Sequence, residues 1–257
     1  MVRLGAAWIL DEPANTQDFW ALRRYGLEFW KGVGPQKGTH LVFRADISRP
    51  QWQRDLLDGV TNVEVVSGAL RKYGERVQAR TQRFGNLVYM YGSANSIGTP
   101  NTTLAAWCVE SWALGADGVV PWQTIGTAKS WQKLDELSLF YPTPEGPVPS
   151  LRLKAFRAGQ QLVEYLTLFT ALSGESRESI AAAVLDEPGL RATMVKKNEA
   201  DAGKSAFSAK AHRSVTSLRL RLGHWLSAKA PAPRERWHDP RPKPHNPSAV
   251  KVIEPQK

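Results

Sequence analysis

Two adjacent carboxylates, Asp11 and Glu12, end a short apolar run and are followed by Pro13. Parallel α/β folds place their active sites at the carboxyl ends of strands, and proline turns the backbone there because it cannot continue a ladder hydrogen bond. Neighbouring carboxylates can divide acid–base work, since burial keeps one protonated while the other stays ionised. A solvated turn is the alternative, and the same tripeptide recurs in a helical context at residues 186–188.

Aromatic side chains end two further predicted strands, Tyr91 the fourth and Trp122 the fifth. Flat rings suit the apolar C–H faces of sugars, and tyrosine adds a hydroxyl donor, so both are candidate substrate-binding residues. Packing in the core is the alternative for both. Core packing is expected for the tryptophans on predicted helices, which are Trp20, Trp30, Trp52, Trp107 and Trp112.

Arg44 and Asp46 end the second predicted strand, where they either bind a polar group of a substrate or pair with each other. Cys108 lies mid-helix in an apolar stretch, which is typical of a buried thiol rather than a nucleophile. His40 begins a strand with no second histidine near it, so no metal site is predicted. The sequence contains neither a glycine-rich phosphate loop nor a Gly-x-Ser-x-Gly elbow.

The elements that must position these residues alternate between strand and helix, which predicts an α/β fold with right-handed βα units and a parallel sheet. The predicted strands are residues 6–10, 41–46, 62–66, 87–91 and 119–122. A long loop is predicted at 123–149, and an amphipathic helix at 151–172. A further helix is predicted at 178–197, broken near Pro188, and the proline-rich segment after Ala228 is predicted to be disordered.

Composition limits the class of protein. The chain has 257 residues, of which 42% are apolar and 23% charged, as in a globular protein, and one cysteine excludes an intramolecular disulfide. No apolar run approaches the roughly 18 residues of a membrane span, and residues 1–10 are too short for a signal peptide. The net charge is +10, but residues 204–257 alone carry 12 Lys or Arg against three acids. Nucleic-acid binding by the folded part is therefore not expected.

Several segments resemble, in order and spacing, the catalytic domain of glycoside hydrolase family 123. The similarity covers roughly residues 5–170 and begins with the strand that carries Asp11 and Glu12. It rests on residues 7–13 (AWILDEP), Tyr91, Pro100, Trp107, residues 115–122 (GADGVVPW), residues 150–153 (SLRL) and residues 161–166 (QLVEYL).

The resemblance implies a (β/α)₈ TIM-type barrel that hydrolyses glycosides of 2-acetamido sugars, with N-acetylgalactosamine as the characterised case. It implies substrate-assisted catalysis, in which the acetamido oxygen of the substrate attacks the anomeric carbon. Asp11 would orient the acetamido group, and Glu12 would protonate the leaving oxygen and then activate water. Neither a metal nor a cofactor is implied, and the expected partner is a carbohydrate substrate.

The chain also departs from the family. Its five strands correspond to strands four to eight, so three βα units and a preceding sandwich domain are expected elsewhere in a longer protein, and glutamines occupy 160 and 161 where acids are expected. We expect a partial barrel at 1–172, a helical extension at 173–228 and a disordered basic tail at 229–257. The sequence leaves three alternatives open: whether the chain is active alone, which sugar it takes, and whether the longer protein is exported. A non-catalytic carbohydrate-binding domain or degenerate barrel remnant is the alternative, and a nucleic-acid or anionic-surface binder acting through the tail is a third.

Overall fold

The computed structural model describes residues 5–7, 10–34, 41–92, 94, 96–134, 137–195 and 204–229. His40 and the tail that was predicted to be disordered, Lys229 excepted, lie outside the described residues. In the first half of the chain, strands and helices alternate as predicted. The strands are β1 (Gly5–Ala7), β2 (Leu41–Ile47), β3 (Val63–Val66), β4 (Leu87–Gly92) and β5 (Gly118–Pro121). The helices between them are α1 (Thr16–Val33), α2 (Leu70–Phe84) and α3 (Thr102–Ala113).

These five strands form one parallel sheet in the order β1-β2-β3-β4-β5, so each strand pairs with the next one along the chain. The α/β class and the parallel sheet are thereby confirmed. Sequential order is how successive strands are arranged in a (β/α)₈ barrel. Within the described residues the sheet is open, with β1 and β5 at its edges. The partial barrel agrees with this arrangement and stays a prediction.

One face of the sheet packs against the helices. Phe43, Ala45 and Ile47 alternate along β2 and are buried in the main core together with Phe19 and Leu22 of α1. Side chains alternate between the two faces of a strand, so this pattern sends every second residue of β2 to the helical layer. The sheet is therefore covered by helices on this face.

Close packing of α1 depends on a glycine. A Cβ atom at Gly26 would lie 2.3 Å from Cγ1 of Val60 and 3.0 Å from Cε1 of Phe43. Only a residue without a side chain lets the helix approach the sheet this closely. The position of α1, which begins just after Glu12, is thus set partly by Gly26.

The opposite face of the sheet carries a second, smaller apolar cluster. Val63, Val65 and Tyr91 are buried in it, and Val42, Tyr89 and Val120 pack against them half-buried. By the alternation of β2, Arg44 and Asp46 belong to this same face. We call it the inner face, and its polar residues lie towards the carboxyl ends of the strands.

A buried ion pair fixes α2 on the helical side. Glu64 of β3 is 1% exposed and accepts hydrogen bonds from Arg80 of α2, from Thr61 and from Asn86. Arg80 also donates to Oδ1 of Asp58 at 2.8 Å. Burial raises the pKa of Glu64, and the charge of Arg80 opposes that rise. The pair keeps α2 in register with the sheet.

The segment predicted as a long loop contains regular structure. A 3₁₀ helix spans Ala128–Trp131, and β6 (Phe140–Thr143) pairs antiparallel with β7 (Gly146–Pro149). The ring of Trp131 lies 4.6 Å from that of Tyr141, and its Nε1 donates to the carbonyl of Pro142 at 2.9 Å. The hairpin was not predicted, because both of its strands contain proline, which argues against a strand unless it lies at the edge of a sheet.

The C-terminal part is helical, with one strand pair that the sequence did not predict. It comprises α4 (Leu151–Ser173), α5 (Arg177–Asp186), β8 (Thr193–Val195), β9 (Lys204–Ala206) and α6 (Ala211–Lys229). The predicted helix at 178–197 is wrong beyond Asp186, because the chain turns before Pro188 and then pairs as β8 with β9. Residues of α3, α4, α5 and α6 share one core cluster. The proposed division of the chain at 172 stays a prediction.

Two tryptophans expected in the core are exposed. Trp20 is 58% and Trp52 40% exposed, whereas Trp107 and Trp112 are buried. Cys108 is buried as predicted, and burial raises the pKa of its thiol to about 12. Among the described residues, no helix has the length and apolar character needed to cross a membrane.

Candidate active site

The turn between β1 and α1 presents the first carboxylate pair. Asn15 caps α1 by accepting a hydrogen bond from the backbone of Asp18 at 3.0 Å, which fixes where the helix begins. Pro13 is buried, and Glu12 has φ 44°, a left-handed conformation that side chains other than glycine adopt uncommonly. Asp11 is exposed and Glu12 is half-buried. The strained turn therefore places Glu12 against the sheet and leaves Asp11 towards solvent.

Glu12 is held by Tyr91, which lies 79 residues away along the chain. The phenol hydroxyl of Tyr91 donates a hydrogen bond to Oε1 of Glu12. Burial raises the pKa of Tyr91 well above its ordinary value, and the hydrogen bond and charge of Glu12 raise it further. Tyr91 is therefore a neutral donor at any physiological pH. The contact joins the carboxyl end of β4 to the turn that follows β1.

A serine that the sequence reasoning missed completes this contact. Ser48 is buried just after β2, and its hydrogen bond with the Tyr91 phenol lowers the pKa of that phenol, against the stronger effect of burial. Nη1 of Arg49 lies 3.2 Å from Oγ of Ser48 and donates to it. The available signal was position, because Ser48 comes two residues after Asp46 at the carboxyl end of a strand.

Arg44 and Asp46 pair with each other, which was one of the two alternatives for them. Nε of Arg44 donates to Oδ1 of Asp46 at 2.6 Å and Nη2 to Oδ2 at 2.7 Å, a bidentate geometry. The hydrogen bond to Asp46 raises the pKa of Arg44 against the opposing effect of burial, and the charges of Asp46 and Asp11 raise it further. Asp11 thus lies within electrostatic range of the guanidinium.

Trp122 lies at the end of the neighbouring strand. It follows β5 directly, and its backbone N–H donates to the carbonyl of Gly92, the last residue of β4, at 2.8 Å. Its side chain is 60% exposed, so it is an accessible ring rather than a core residue. The structure brings Glu12, Tyr91, Arg44 and Asp46 together with Asp11, and Trp122 lies at the same edge of the sheet.

The second copy of the tripeptide has different surroundings. Asp186 is the last residue of α5, and Glu187 accepts a hydrogen bond from Arg221 of α6. Neither residue lies at the end of a sheet strand. Position, and not the tripeptide itself, therefore distinguishes the first pair from the second.

The part of the chain that the structure describes has no group of three or more histidine, cysteine or acidic side chains arranged to hold a metal ion. What the described residues do offer is a carboxylate fixed by a phenol, a second carboxylate near a guanidinium, and an exposed indole. Such a set is suited to proton transfer and to the binding of a polar ligand.

Comparison with known proteins identifies the fold. Neither the models of protein families nor the curated proteins gave a match. Among solved structures, the chain is similar to a family 123 glycoside hydrolase from Clostridium perfringens, whose structural analysis concerned glycolipid glycan hydrolysis. The TM-score is 0.59 with 11% sequence identity, over 86% of this chain and 41% of that one. This chain therefore spans less than half the length of the solved structure, and the likeness shows a shared α/β fold.

Proposed function

We propose that this chain forms part of a glycoside hydrolase of the family 123 type, with Asp11 and Glu12 at its active centre. The contact between Glu12 and Tyr91 carries the proposal. The two residues stand in separate motifs of the sequence resemblance, and the fold joins them at the carboxyl ends of β1 and β4. The fold is shared with an enzyme that the comparison describes as a family 123 glycoside hydrolase.

The proposed substrate is a glycoside of a 2-acetamido sugar, of the N-acetylgalactosaminide type. In the first step the acetamido oxygen forms a bond to the anomeric carbon while the bond to the leaving oxygen breaks. Glu12 delivers a proton to that leaving oxygen. Since Tyr91 binds Oε1, the proton is carried by Oε2, and the phenol keeps the carboxyl group from rotating.

In the second step water attacks the anomeric carbon and the acetamido group is released. Glu12, now a carboxylate, accepts a proton from that water, which returns it to its starting state. Asp11 accepts a hydrogen bond from the acetamido N–H and stabilises the positive charge of the cyclic intermediate. The positive charge of Arg44 lies within electrostatic range of Asp11, and its hydrogen bonds to Asp46 of β2 hold it in place.

Substrate contacts are assigned to the remaining residues of the inner face. The exposed ring of Trp122 offers a platform for the apolar face of a sugar ring. Arg44 and Asp46, already fixed by their mutual hydrogen bonds, offer polar groups to sugar hydroxyls without losing further side-chain freedom. Further βα units that pair with β1 and β5 would complete the sheet to a barrel and enclose this site.

The test is release of N-acetylgalactosamine from an unactivated alkyl N-acetyl-β-galactosaminide by the chain and by any longer form of the protein. Release that Glu12→Gln lowers by at least about 10²-fold and Glu187→Gln preserves supports the proposal. Release that Glu12→Gln leaves unchanged contradicts it.

A non-catalytic carbohydrate-binding domain is the second candidate, favoured by the open sheet of the described residues. It predicts that N-acetylgalactosamine binds to the chain, that Trp122→Ala removes this binding, and that no variant changes a hydrolysis rate. Calorimetric titration with the free sugar, compared with the hydrolysis assay, distinguishes the two functions. A hydrolase requires turnover as well as binding, whereas a binding domain requires binding alone.

A further inference from the structure

A groove lies on the helical side of the sheet, opposite the face that carries Tyr91. It is a groove of about 540 Å³ between the segment that follows β2 and the later turns of α2. Small-molecule sites commonly have volumes of about 300–1,000 Å³. Its lining comprises Pro50, Gln53, Arg54, Asp55, Asp58, Tyr73, Arg76, Val77, Ala79, Arg80, Arg83 and Phe84. We call it the α2 groove.

The lining of the α2 groove has an excess of positive charge. Arg80 is fully engaged by Asp58 and Glu64, so it contributes structure rather than free charge. Arg54, Arg76 and Arg83 are exposed and form no ion pair with any described residue. Among the carboxylates of the lining, Asp55 is likewise exposed and has no ion pair with a described residue, whereas Asp58 pairs with Arg80. The uncompensated charge of the described lining is therefore positive.

A buried amide adds a donor without a partner. Gln53 is 4% exposed, and its Nε2 has no hydrogen-bond partner among the described residues. An unpaired buried donor destabilises the protein, so a ligand that supplies an acceptor would be bound there. The terminal torsion of glutamine is broad, which lets the amide turn its nitrogen towards the groove.

The walls also offer flat apolar surface. Tyr73 and Phe84 line the groove from α2, and the guanidinium of Arg83 lies 4.9 Å from the ring of Phe84. A guanidinium stacked on a ring keeps its N–H groups directed outward, where its planar fork matches the oxygens of a phosphate or sulfate. The groove thus combines anion-binding forks with rings that suit a small cyclic ligand.

From these observations we propose that the α2 groove binds a sugar carrying a phosphate or sulfate ester. Arg76 and Arg83 bind the tetrahedral oxyanion, Gln53 donates to a ring hydroxyl or ester oxygen, and Tyr73 packs against the ring. The proposal is independent of the proposed hydrolase function, because the groove and Glu12 belong to opposite faces of the sheet.

Isothermal titration of the full chain with galactose 6-phosphate and galactose 6-sulfate tests this site, with galactose and inorganic phosphate as comparison probes. We expect at least one ester to bind with a Kd of about 1 mM or lower, and both comparison probes to bind at least tenfold more weakly. The ester that binds more tightly identifies the oxyanion.

Variants locate the binding. Arg76→Gln and Arg83→Gln each remove one charge-assisted contact and should weaken binding about tenfold, whereas Arg157→Gln, an exposed arginine of α4 outside the groove, should not change it. Gln53→Met keeps the length of the side chain and removes the donor, so binding should weaken in a variant whose circular dichroism matches that of the parent. Absence of saturable binding by both esters would overturn the proposal. So would equal binding of galactose, or affinities that the groove substitutions leave unchanged.

Discussion

At the scale of single residues, the candidate site depends on a contact between two side chains that the chain separates by 79 positions. Glu12 and Tyr91 each stand at a place where a parallel sheet ends, and that rule was enough to select both from the sequence. Their hydrogen bond was not predictable, because it depends on the left-handed turn at Glu12. Ser48 was missed for a similar reason, since one serine after a strand has no distinctive spacing.

Substitution of the two carboxylates separates their roles. Glu12→Gln removes the proton donor and should lower kcat by about 10²–10⁴-fold, with a smaller loss for substrates that have good leaving groups. Asp11→Asn keeps the size of the side chain but removes the charge that stabilises the cyclic intermediate, so it should slow all 2-acetamido substrates alike. Steady-state kinetics with activated and unactivated glycosides measures both effects.

The second tripeptide supplies matched controls for these variants. Asp186→Asn and Glu187→Gln make the same chemical changes at a helix end away from the sheet. They should leave kcat and KM unchanged. A loss of activity with these controls, or its survival in both first-pair variants, contradicts the assignment of Asp11 and Glu12.

Tyr91 also affects stability in a pH-dependent way. The pKa of its phenol is raised in the folded protein from the ordinary value of 10.0, so the folded state holds this proton more tightly than the unfolded state. Stability from this group is fully present below pH 10 and is lost as the pH rises above that value. Tyr91→Phe removes a buried hydrogen bond, should cost about 1 kcal/mol at neutral pH, and should weaken the alkaline loss of stability.

Urea denaturation at pH 7.5 and at pH 10.5 measures this difference. The matched control is Tyr89→Phe, since Tyr89 lies on the same strand and the same face, two residues from Tyr91. The difference in the free energy of unfolding between the parent and Tyr91→Phe should become smaller at the higher pH. The corresponding difference between the parent and Tyr89→Phe should not. A difference for Tyr91→Phe that stays constant or grows would show that the phenol is not held in this buried, hydrogen-bonded state.

At the scale of elements, the spacing of apolar residues was sufficient to predict the strands and helices of the βα units. It failed for strands that form by pairing with a neighbouring strand although their own side-chain pattern argues against a strand. The strands of the sheet are short apolar runs bounded by turn residues, so their positions were predictable. The β6–β7 hairpin contains Pro142, Pro147 and Pro149, which argue against a strand, and it forms because its partner strand is adjacent. The β8 strand forms by pairing with β9, an interaction that no local pattern records.

Close approach of α1 to the sheet gives an element-scale prediction. Gly26→Ala places a methyl group 2.3 Å from Val60, so the core must shift, and overpacking of this kind costs about 1–3 kcal/mol. Gly32→Ala, on the same helix, meets nothing within 4 Å and should stabilise the helix by up to about 1 kcal/mol. Thermal unfolding of both variants measures the two changes in stability, which should have opposite signs. Equal effects would show that α1 does not pack as closely as the structure has it.

At the scale of the whole molecule, the concentration of basic residues in 204–257 was readable from composition. The contacts that hold the C-terminal part were not. Glu110 of α3 is fully buried, pairs with Arg71 of α2 and accepts the backbone N–H of Ala192 at 2.7 Å, which fastens the segment before β8 to the helical layer. Long-range pairing of this kind brings together charges that appear unrelated in the sequence.

The open sheet leads to the last prediction, which concerns association. In the described residues β1 and β5 have a free pairing side, and the inner face carries half-buried Val42, Tyr89 and Val120. Unpaired edges and apolar faces drive contact between copies unless charges block them. We therefore expect the purified chain to elute with a mass well above its 28.6 kDa in size-exclusion chromatography with light scattering.

Two lysine substitutions test the cause of that association. Val120→Lys puts a charge on the inner face at the β5 edge and should shift the mass towards the monomer, because a charge at an edge opposes strand pairing. Val148→Lys introduces the same charge at an exposed valine of β7, outside the parallel sheet, and should leave the association unchanged. Circular dichroism of both variants verifies that they fold. A monomeric, cooperatively unfolding parent chain would contradict the prediction, because the apolar inner face and the edge strands β1 and β5 of the described sheet would then be stable in water without association.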